Sequence, residues 1–390
     1  MKKRKDKKPR LMFIVALFAV MMLGALAFIR ISYKKEVIFQ PVKRKTATVY
    51  PAQYSDSHIT ANAVIADPKF RNLTFFDRNI MLASTISAVT KNTPENSSTS
   101  SEKGTWLWTP ISDITPKYRD SVLIGAKKNG LRNIYLSIDS YLDIFIMPEG
   151  PEKQAKQEAF DAIVENFIVT ANGSGLTVDA EAGWKNWAEP GNTYKAFAIL
   201  DYVIRFNASH KNKFRGFQYD VEPYLLDSYK KDKATALSNY LDLINGSVSA
   251  LAGSDLTLSV VIPEFYDGTS GETPVFSYRG KQAYAFEHLL SILERRAGSK
   301  IIIMSYRNFT KGEDSSLDVS KDEIAAANNT DTKVIVAQET GDVEPPYITF
   351  FNTSKQYLNK QLRTIESAFS GENSFGGIAI HYINAYMDLK

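Results

Sequence analysis

Cysteine is absent from this sequence of 390 residues, and histidine is scarce. Without cysteine the chain can form neither a disulfide nor a thiolate metal site, and its redox compartment stays open. The histidines form no HExxH-type cluster, which argues against a histidine-built metal site; they are His58, His210, His288 and His381. We therefore expect no metal.

Nucleotide-binding loops and a strongly charged body are also missing. Neither GxGxxG nor GxxxxGK[ST] occurs, so no phosphate loop is indicated and we expect no cofactor. The formal net charge of +4 is misleading, because residues 1–10 (MKKRKDKKPR) contain 7 of the 47 basic residues and 1 of the 43 acidic ones. The rest of the chain is close to neutral, so we expect no nucleic-acid surface.

The basic block precedes an apolar run, residues 11–29, which contains no charged residue. As a helix this run is just long enough to cross a bilayer, and the preceding Lys/Arg residues predict a cytoplasmic N-terminus. A cleaved signal peptide is the alternative, since Ala25-Leu26-Ala27 is an A-x-A pattern. The length of the run favours an uncleaved signal anchor. We thus predict a single-pass protein of the cell membrane whose C-terminal domain lies outside.

Composition changes divide the chain into four regions. We predict a cytoplasmic basic tail (1–10), a transmembrane helix (11–29), a juxtamembrane spacer and linker (30–104), and a folded domain (105–390). The linker ends in the Ser/Thr/Asn-rich KNTPENSSTSSEKG. Apolar patches within 61–90 could pack on the folded domain.

Strand-like and helix-like segments alternate through the folded domain. The strand-like segments are TWLWTP (105–110), NIYLSID (133–139), GLTVDAEAG (175–183), FRGFQYDVEP (214–223), LTLSVVIPEF (256–265), KIIIMSYRNF (300–309), KVIVAQET (333–340) and GGIAIHYINAY (376–386). This alternation predicts an α/β fold, a (β/α)8 TIM barrel behind a single N-terminal transmembrane helix. A doubly wound sheet is the alternative, but it lacks its phosphate loop. No eighth helix is evident, and the 61–90 segment could fill that position.

Acidic residues recur at the predicted C-terminal strand ends, where barrels of this class carry their active sites. Asp139, Asp179 with Glu181, Asp220 with Glu222, Glu264 and Glu339 occupy such positions. Helix capping or loop solvation accounts better for Asp139, and likewise for Asp267 and Asp342. Capping does not account for Asp220 and Glu222, which we place inside a strand on one face. Their proximity would raise one carboxyl pKa and make Glu222 a general acid. A structural pair held by a Lys or Arg, such as Arg215 or Arg307, is the alternative.

The four tryptophans also lie at or just beyond predicted strands: Trp106, Trp108, Trp184 and Trp187. Flat aromatic rings suit the apolar C–H faces of sugars. Trp184 and Trp187, in the loop-like AGWKNWAEPG, are the better platform candidates, although tryptophan more often belongs to a core.

The segment FRGFQYDVE resembles the fourth-strand signature DGxDxDxE of glycoside hydrolase family 18, the chitinase family. Gly216, Asp220 and Glu222 match, while Arg215 and Gln218 replace its first two aspartates. IIIMSYRN is similar to the family's MxYD through Met304 and Tyr306, with Arg307 in place of the aspartate. The family's strand-3 SxGG motif has no counterpart in TVDAEAG, and His381 or Tyr382 replaces its eighth-strand tryptophan. The chain also resembles uncharacterised exported bacterial barrels with an LDVEPY-type fourth strand.

The family resemblance implies a substrate-assisted glycoside hydrolase acting on an N-acetylated polysaccharide. Glu222 would protonate the glycosidic oxygen, and Asp220 and Tyr306 would contact the substrate's acetamido group. Further residues expected to bind the substrate are Gln218, Trp108, Trp184, Trp187, Glu264, Asn308, Gln338, Glu339 and Tyr382.

Three alternatives stay open. A retaining glycosidase would use Glu222 with Glu339 as nucleophile, although the residue before the acid is Val221, where such enzymes have asparagine. Whether Gln338 or Glu339 faces inward is not decided by alternation within one strand. A non-catalytic glycan-binding barrel at the cell surface is the second alternative, and a purely structural barrel is the third.

Overall fold

The computed structural model describes residues 101–390. Its strands are β1 (Glu102–Leu107), β2 (Asn133–Ser137), β3 (Thr177–Ala182), β4 (Gly216–Tyr219), β5 (Thr257–Pro263), β6 (Phe276–Tyr278), β7 (Lys281–Ala283), β8 (Lys300–Met304), β9 (Lys333–Glu339) and β10 (Phe375–His381). Eight of them form a closed parallel barrel in the order β1-β2-β3-β4-β5-β8-β9-β10. The predicted (β/α)8 architecture is confirmed for this part of the chain.

Helices connect the barrel strands. They are α1 (Pro116–Lys128), α2 (Tyr141–Phe145), α3 (Pro151–Gly173), α4 (Thr193–Ser209), α5 (Asp227–Lys231), α6 (Lys233–Ala250), α7 (Ala285–Leu293), α8 (Lys321–Ala327), α9 (Lys355–Phe369) and α10 (Ile383–Asp388). Single 3-10 turns occur at Ile111–Asp113, Lys185–Ala188, Pro223–Leu225, Glu264–Asp267 and Pro346–Ile348. The antiparallel hairpin β6–β7, which the sequence pattern did not predict, is inserted between β5 and α7.

The last helix corrects one expectation. Helix α10 follows β10 directly and contacts β1, β10 and α1, so the chain itself supplies an eighth helix. The apolar patches of 61–90 and the predicted membrane helix of 11–29 lie outside the described residues. No helix within residues 101–390 combines the length and the apolarity that crossing a bilayer requires.

Strand side chains point alternately outward and inward, as the twofold period of a strand requires. Outward-facing aliphatic residues pack against the helices and form the large outer core. A second group fills the barrel; this interior cluster consists of Trp106, Tyr135, Val261, Ile302, Met304, Ile335, Ala337 and Ala379. The N-terminal ends of the strands lie below this cluster (the base), and the C-terminal ends lie above it (the mouth).

An ionic network closes the base. The Arg215 guanidinium donates to Asp179 through Nε (2.8 Å) and to Glu102 through Nη2 (2.9 Å). Lys300 donates to the same Glu102 carboxylate at 2.7 Å. Burial alone would raise the pKa of Asp179, but Arg215, Lys300 and the Asn133 amide together lower it. Asp179 was expected at the C-terminal end of its strand, and the structure places it in this base network instead, opposite Gly216 at the start of β4.

Candidate active site

A hydrogen bond across the barrel marks the layer below the mouth. Trp106 Nε1 on β1 donates to Gln218 Oε1 on β4 at 2.6 Å, and both side chains are buried. Strand alternation continues these two inward faces to Trp108 and Asp220. These next two residues therefore lie on facing sides of the mouth.

Asp220 and Glu222 lie just beyond β4, which corrects the prediction that they belong to the strand. Strand β4 ends at Tyr219, and the Asp220 amide makes one further ladder bond, to the Ala182 carbonyl at 3.1 Å. Glu222 precedes the 3-10 turn that begins at Pro223, and both acids are half-buried. They remain at the C-terminal end of the fourth barrel strand, where this fold places catalytic groups.

A tyrosine that the sequence interpretation missed contacts Glu222. The Tyr224 hydroxyl donates a hydrogen bond to Glu222 Oε2, and the Tyr224 ring packs on the interior cluster. The pattern E-P-Y was a usable signal, because the 3-10 turn after Glu222 brings the residue two positions later back beside it. Buried Tyr266 also lies near Glu222, and burial together with Tyr229, Tyr240 and Glu222 raises its pKa.

Glycine is required beside Asp220. A Cβ on Gly183 would lie 1.9 Å from the Asp220 carbonyl oxygen, so any side chain there must displace one of the two loops. Gly183 also donates its backbone N–H to Asp139 at 3.2 Å. The ends of β2, β3 and β4 are thereby joined directly beneath the two acids.

Neither arginine suggested as a structural partner pairs with Asp220 or Glu222. Arg215 belongs to the base network. Arg307 contacts Glu264 at 3.2 Å and Asp314 at 2.6 Å. Arg215 and Arg307 are therefore not the cations that hold the acid pair.

On the opposite side of the mouth, Glu339 is held at both carboxylate oxygens. Oε1 accepts the backbone N–H groups of Thr340 (2.8 Å) and Gly341 (2.7 Å). Oε2 lies 2.8 Å from His381 Nδ1. Trp108 Nε1 in turn donates to His381 Nε2 at 3.0 Å. Glu339, His381 and Trp108 thus form one hydrogen-bonded chain.

Aromatic side chains surround these groups. The half-buried rings that pack on the interior cluster from above are Trp108, Tyr224, Tyr306 and Tyr382. The His381 ring lies among three of them, with centroids 5.7 Å from Trp108, 6.1 Å from Tyr306 and 5.2 Å from Tyr382. A mouth that combines carboxylates with aromatic faces can accommodate a ring with apolar faces and hydroxyl edges.

Burial dominates the electrostatics of the carboxyls around the mouth. It raises the pKa of Asp139 to about 7, against the opposing hydrogen bond from Gly183. It also raises the pKa of Glu264 despite the attraction of Arg307. Glu323, in the first turn of α8, has its pKa raised to about 9 by burial and by the nearby Asp267 carboxylate. Within residues 101–390 no group of three or more acidic or histidine side chains is arranged to hold a metal ion.

Three residues predicted to bind the substrate lie elsewhere. Trp187 is only 2% exposed and belongs to the outer core, because its 3-10 turn folds back under α4 and α6. Gln338 is buried on the outward face of β9, where its amide donates to the Ser305 carbonyl at 2.8 Å. The Asn308 amide is engaged by the Pro346 and Thr349 carbonyls, and it ties two loops together. Burial corrects the assignments of Trp187 and Gln338, and the role of Asn308 in substrate binding stays a prediction.

Gln218, also predicted to bind the substrate, is fully buried below the mouth on Trp106, and the remaining predicted residues lie at or near the mouth. Tyr306 and Tyr382 belong to the aromatic group, and Glu264 is the first residue after β5. Trp184 is 40% exposed in the loop after β3. Asp267 serves its own loop, accepting hydrogen bonds from the backbone and hydroxyl of Thr269, as expected of a loop residue. The Asp139 side chain accepts a hydrogen bond from the Gly183 backbone N–H.

His381 is the main residue whose role the sequence interpretation missed. The signal was its place in β10, two residues after the inward-facing Ala379. Its partners come from β1 and β9, and no local pattern connects those strands.

No protein-family model and no curated protein sequence matches the chain. Among solved structures it is similar to a β-mannanase from the blue mussel Mytilus edulis (10% identity, 74% of this chain and 89% of that one, TM-score 0.46). It is also similar to a family GH18 chitinase from Cycas revoluta (12%, 74% and 96%, 0.44) and a D-psicose 3-epimerase from Clostridium cellulolyticum (9%, 72% and 84%, 0.41). At these identities and scores the likeness does not identify a reaction.

Proposed function

We propose that this protein is a membrane-anchored, extracytoplasmic glycoside hydrolase that acts on an N-acetylated polysaccharide, with Glu222 as the general acid. One observation carries the proposal. Asp220 and Glu222 lie together at the mouth of a closed barrel, among aromatic rings, while Arg215 and Arg307 are engaged by other carboxylates. This fold carries its catalytic groups at that end of the strands, so the position of the two acids among aromatic rings supports acid catalysis.

The proposed reaction uses the substrate's own acetamido group as nucleophile. Glu222 gives its proton to the glycosidic oxygen while the acetamido carbonyl oxygen bonds to the anomeric carbon and the glycosidic bond breaks. Water then attacks the same carbon and displaces the acetamido oxygen, whose bond to that carbon breaks, and Glu222 recovers a proton from that water. Asp220 orients the acetamido group and stabilises the positive charge that develops on it. The Tyr306 hydroxyl binds the same group from just beyond β8.

The environment of Glu339 supports substrate assistance over a protein nucleophile. A nucleophilic carboxylate must present an oxygen lone pair to the anomeric carbon. The Glu339 side chain is 4% exposed, and both of its oxygens accept hydrogen bonds from the backbone or from His381. This geometry suits a fixed anion that organises its neighbours.

The test is Glu222→Gln, assayed on N-acetylglucosamine oligosaccharides. We expect hydrolysis to fall by about 10²–10⁴-fold while binding persists, since only the proton donor is lost. Glu294→Gln, the same change at an exposed position after α7, is the matched control and should retain full activity. If Glu339→Ala abolishes hydrolysis as completely as Glu222→Gln does, the two-glutamate mechanism replaces ours. Binding by the wild type without cleavage of any glycan would establish the non-catalytic alternative.

The proposed location has its own test. The apolar run of residues 11–29 supports an anchor with the barrel outside the cytoplasm. The full chain should remain with membranes after a high-salt wash, and protease added to intact cells should degrade the barrel domain. A chain recovered in the medium without its first residues would show a cleaved signal peptide instead.

A further inference from the structure

The hydrogen-bonded chain at the mouth begins at a fixed anion. Two of the donors to Glu339 are backbone N–H groups of the two following residues, Thr340 and Gly341. Backbone donors to a carboxylate favour its charged form and hold it in one orientation. Glu339 therefore presents Oε2 to His381 from a position that the strand end itself determines.

The middle member, His381, has its tautomer determined by its neighbours. An indole N–H can only donate, so His381 Nε2 accepts from Trp108 and Nδ1 carries the proton. That proton is directed at Glu339 Oε2, 2.8 Å away. Each end of the imidazole is thus satisfied, and rotation of the ring would break both hydrogen bonds.

Trp108 is the last member of this hydrogen-bonded chain of side chains. Its polar edge is occupied by His381, and its ring is half-buried on the interior cluster. Because Trp106 and Gln218 are in contact one layer below, Trp108 lies across the mouth from Asp220. A sugar ring held against Asp220 and Glu222 would have its other side toward Trp108.

We infer that Glu339 and His381 are positioning residues that hold the Trp108 ring as the platform for the sugar on which Glu222 acts. This inference rests on the proposed function. It assigns specificity for a pyranose with an apolar C–H face, because the fixed ring offers a flat surface and no hydrogen-bonding edge. The order imposed on Trp108 before binding would lower the entropic cost of binding the sugar.

The experiment measures binding in the Glu222→Gln chain, so that turnover does not interfere. A second substitution is added to this chain, and calorimetric titration with N-acetylglucosamine tetrasaccharide gives the dissociation constant of each doubly substituted protein. His381→Phe keeps an aromatic ring and removes both hydrogen bonds; we expect about tenfold weaker binding, the scale of a lost hydrogen bond. Trp108→Phe keeps a ring without the N–H and should lose a similar factor, whereas Trp108→Ala should lose more.

The matched control is His210→Phe. His210 also stacks on an aromatic ring, Phe206 at 4.0 Å, but it follows the C-terminal end of α4, away from the mouth. Its replacement should leave the dissociation constant unchanged. In the chain that retains Glu222, the His381 and Trp108 substitutions should raise KM more than they lower kcat, because a platform holds ground and transition states alike.

Each outcome is decisive. If His381→Phe and Trp108→Phe bind like the parent while Trp108→Ala does not, Trp108 is a platform that needs no positioning, and the inference is overturned while the proposed function stands. If His381→Phe does not fold, Trp108→Phe decides alone. If the wild type neither binds nor cleaves any glycan, the proposed function fails and the inference fails with it.

Discussion

The base and the mouth of the barrel treat buried carboxyls in opposite ways. At the base, burial of Asp179 is outweighed by Arg215 and Lys300, and its pKa is lowered. Around the mouth, burial prevails, and the pKa values of Asp139, Glu264 and Glu323 are raised. The base therefore holds charged acids, whereas burial favours the protonated form of Asp139, Glu264 and Glu323 around the mouth.

This difference separates stability from function within one barrel. Paired charges at the base stabilise the fold, and the carboxylates held in those ion pairs are poorly suited to proton transfer. Around the mouth, the charged forms of Asp139, Glu264 and Glu323 are costly because these carboxyls are buried without enough compensating charge. The substitutions below test whether the two ends can be changed independently.

The largest effect on stability is expected from Arg215→Leu, which breaks the base network. Asp179 is 2% exposed and would lose its main cationic partner, so the free energy of unfolding should fall by about 3–5 kcal/mol. Urea unfolding at pH 7 measures this loss. Specific activity of the folded fraction should stay within twofold of the wild type. A large fall in that activity would show that base and mouth are coupled.

Glu323→Gln should stabilise the protein, increasingly so at higher pH. The folded pKa is about 9 against an ordinary value of 4.5, so the native state retains a proton that the unfolded state has lost between these limits. Unfolding free energy therefore falls as pH rises through this window, by at most about 1.4 kcal/mol per pH unit. The amide removes that dependence. Equal pH profiles for variant and wild type from pH 5 to 8 would contradict the raised pKa.

Gly183→Ala should damage the mouth without affecting the base. The added Cβ collides with the Asp220 carbonyl, so the loop carrying both acids must move, and we expect at least about tenfold lower kcat. Gly191→Ala is the matched control in the same connection, since nothing lies within 4 Å of a Cβ there. Steady-state kinetics of both variants would reveal the difference. Equal kinetics would show that the loop tolerates the shift.

The smallest effect is expected from Lys300→Met at the base. Glu102 loses its 2.7 Å contact with Lys300 but keeps Arg215. The expected loss is about 1 kcal/mol in the free energy of unfolding, because one charged hydrogen bond is lost and a second partner remains. A loss as large as that of Arg215→Leu would mean that Lys300, not Arg215, is the main partner of the network.

Local patterns predicted the barrel well, because each strand carries its own apolar alternation between turn signals. They misplaced the end of β4, because that end depends on a neighbour: β3 stops at Ala182, which leaves no carbonyl partner beyond Asp220. Proline at position 223 was the local signal, and it comes several residues after the strand has ended. The end of β4 is thus determined by its pairing with β3, a segment that lies far from it in the sequence.

The site was predictable only in part, because local patterns identify strand ends but not the contacts between distant segments. Position identified Asp220, Glu222 and Trp108 as residues near the C-terminal strand ends, and the resemblance of IIIMSYRN to a family motif identified Tyr306. The partners of Glu339 and Arg215 were not predictable, since these contacts join residues far apart in the chain. Trp187 was misassigned because a loop-like sequence folded into the outer core.

The backbone origin of two donors to Glu339 has a consequence for how related chains could diverge. Any residue except proline at position 340 still supplies its N–H, so that donor would survive most substitutions. Position 341 is different, because a Cβ there would lie 3.1 Å from Glu339 Oε1 and 3.2 Å from the Tyr382 ring. Among descendants that keep this carboxylate, we expect glycine at 341 to persist while the residue at 340 varies.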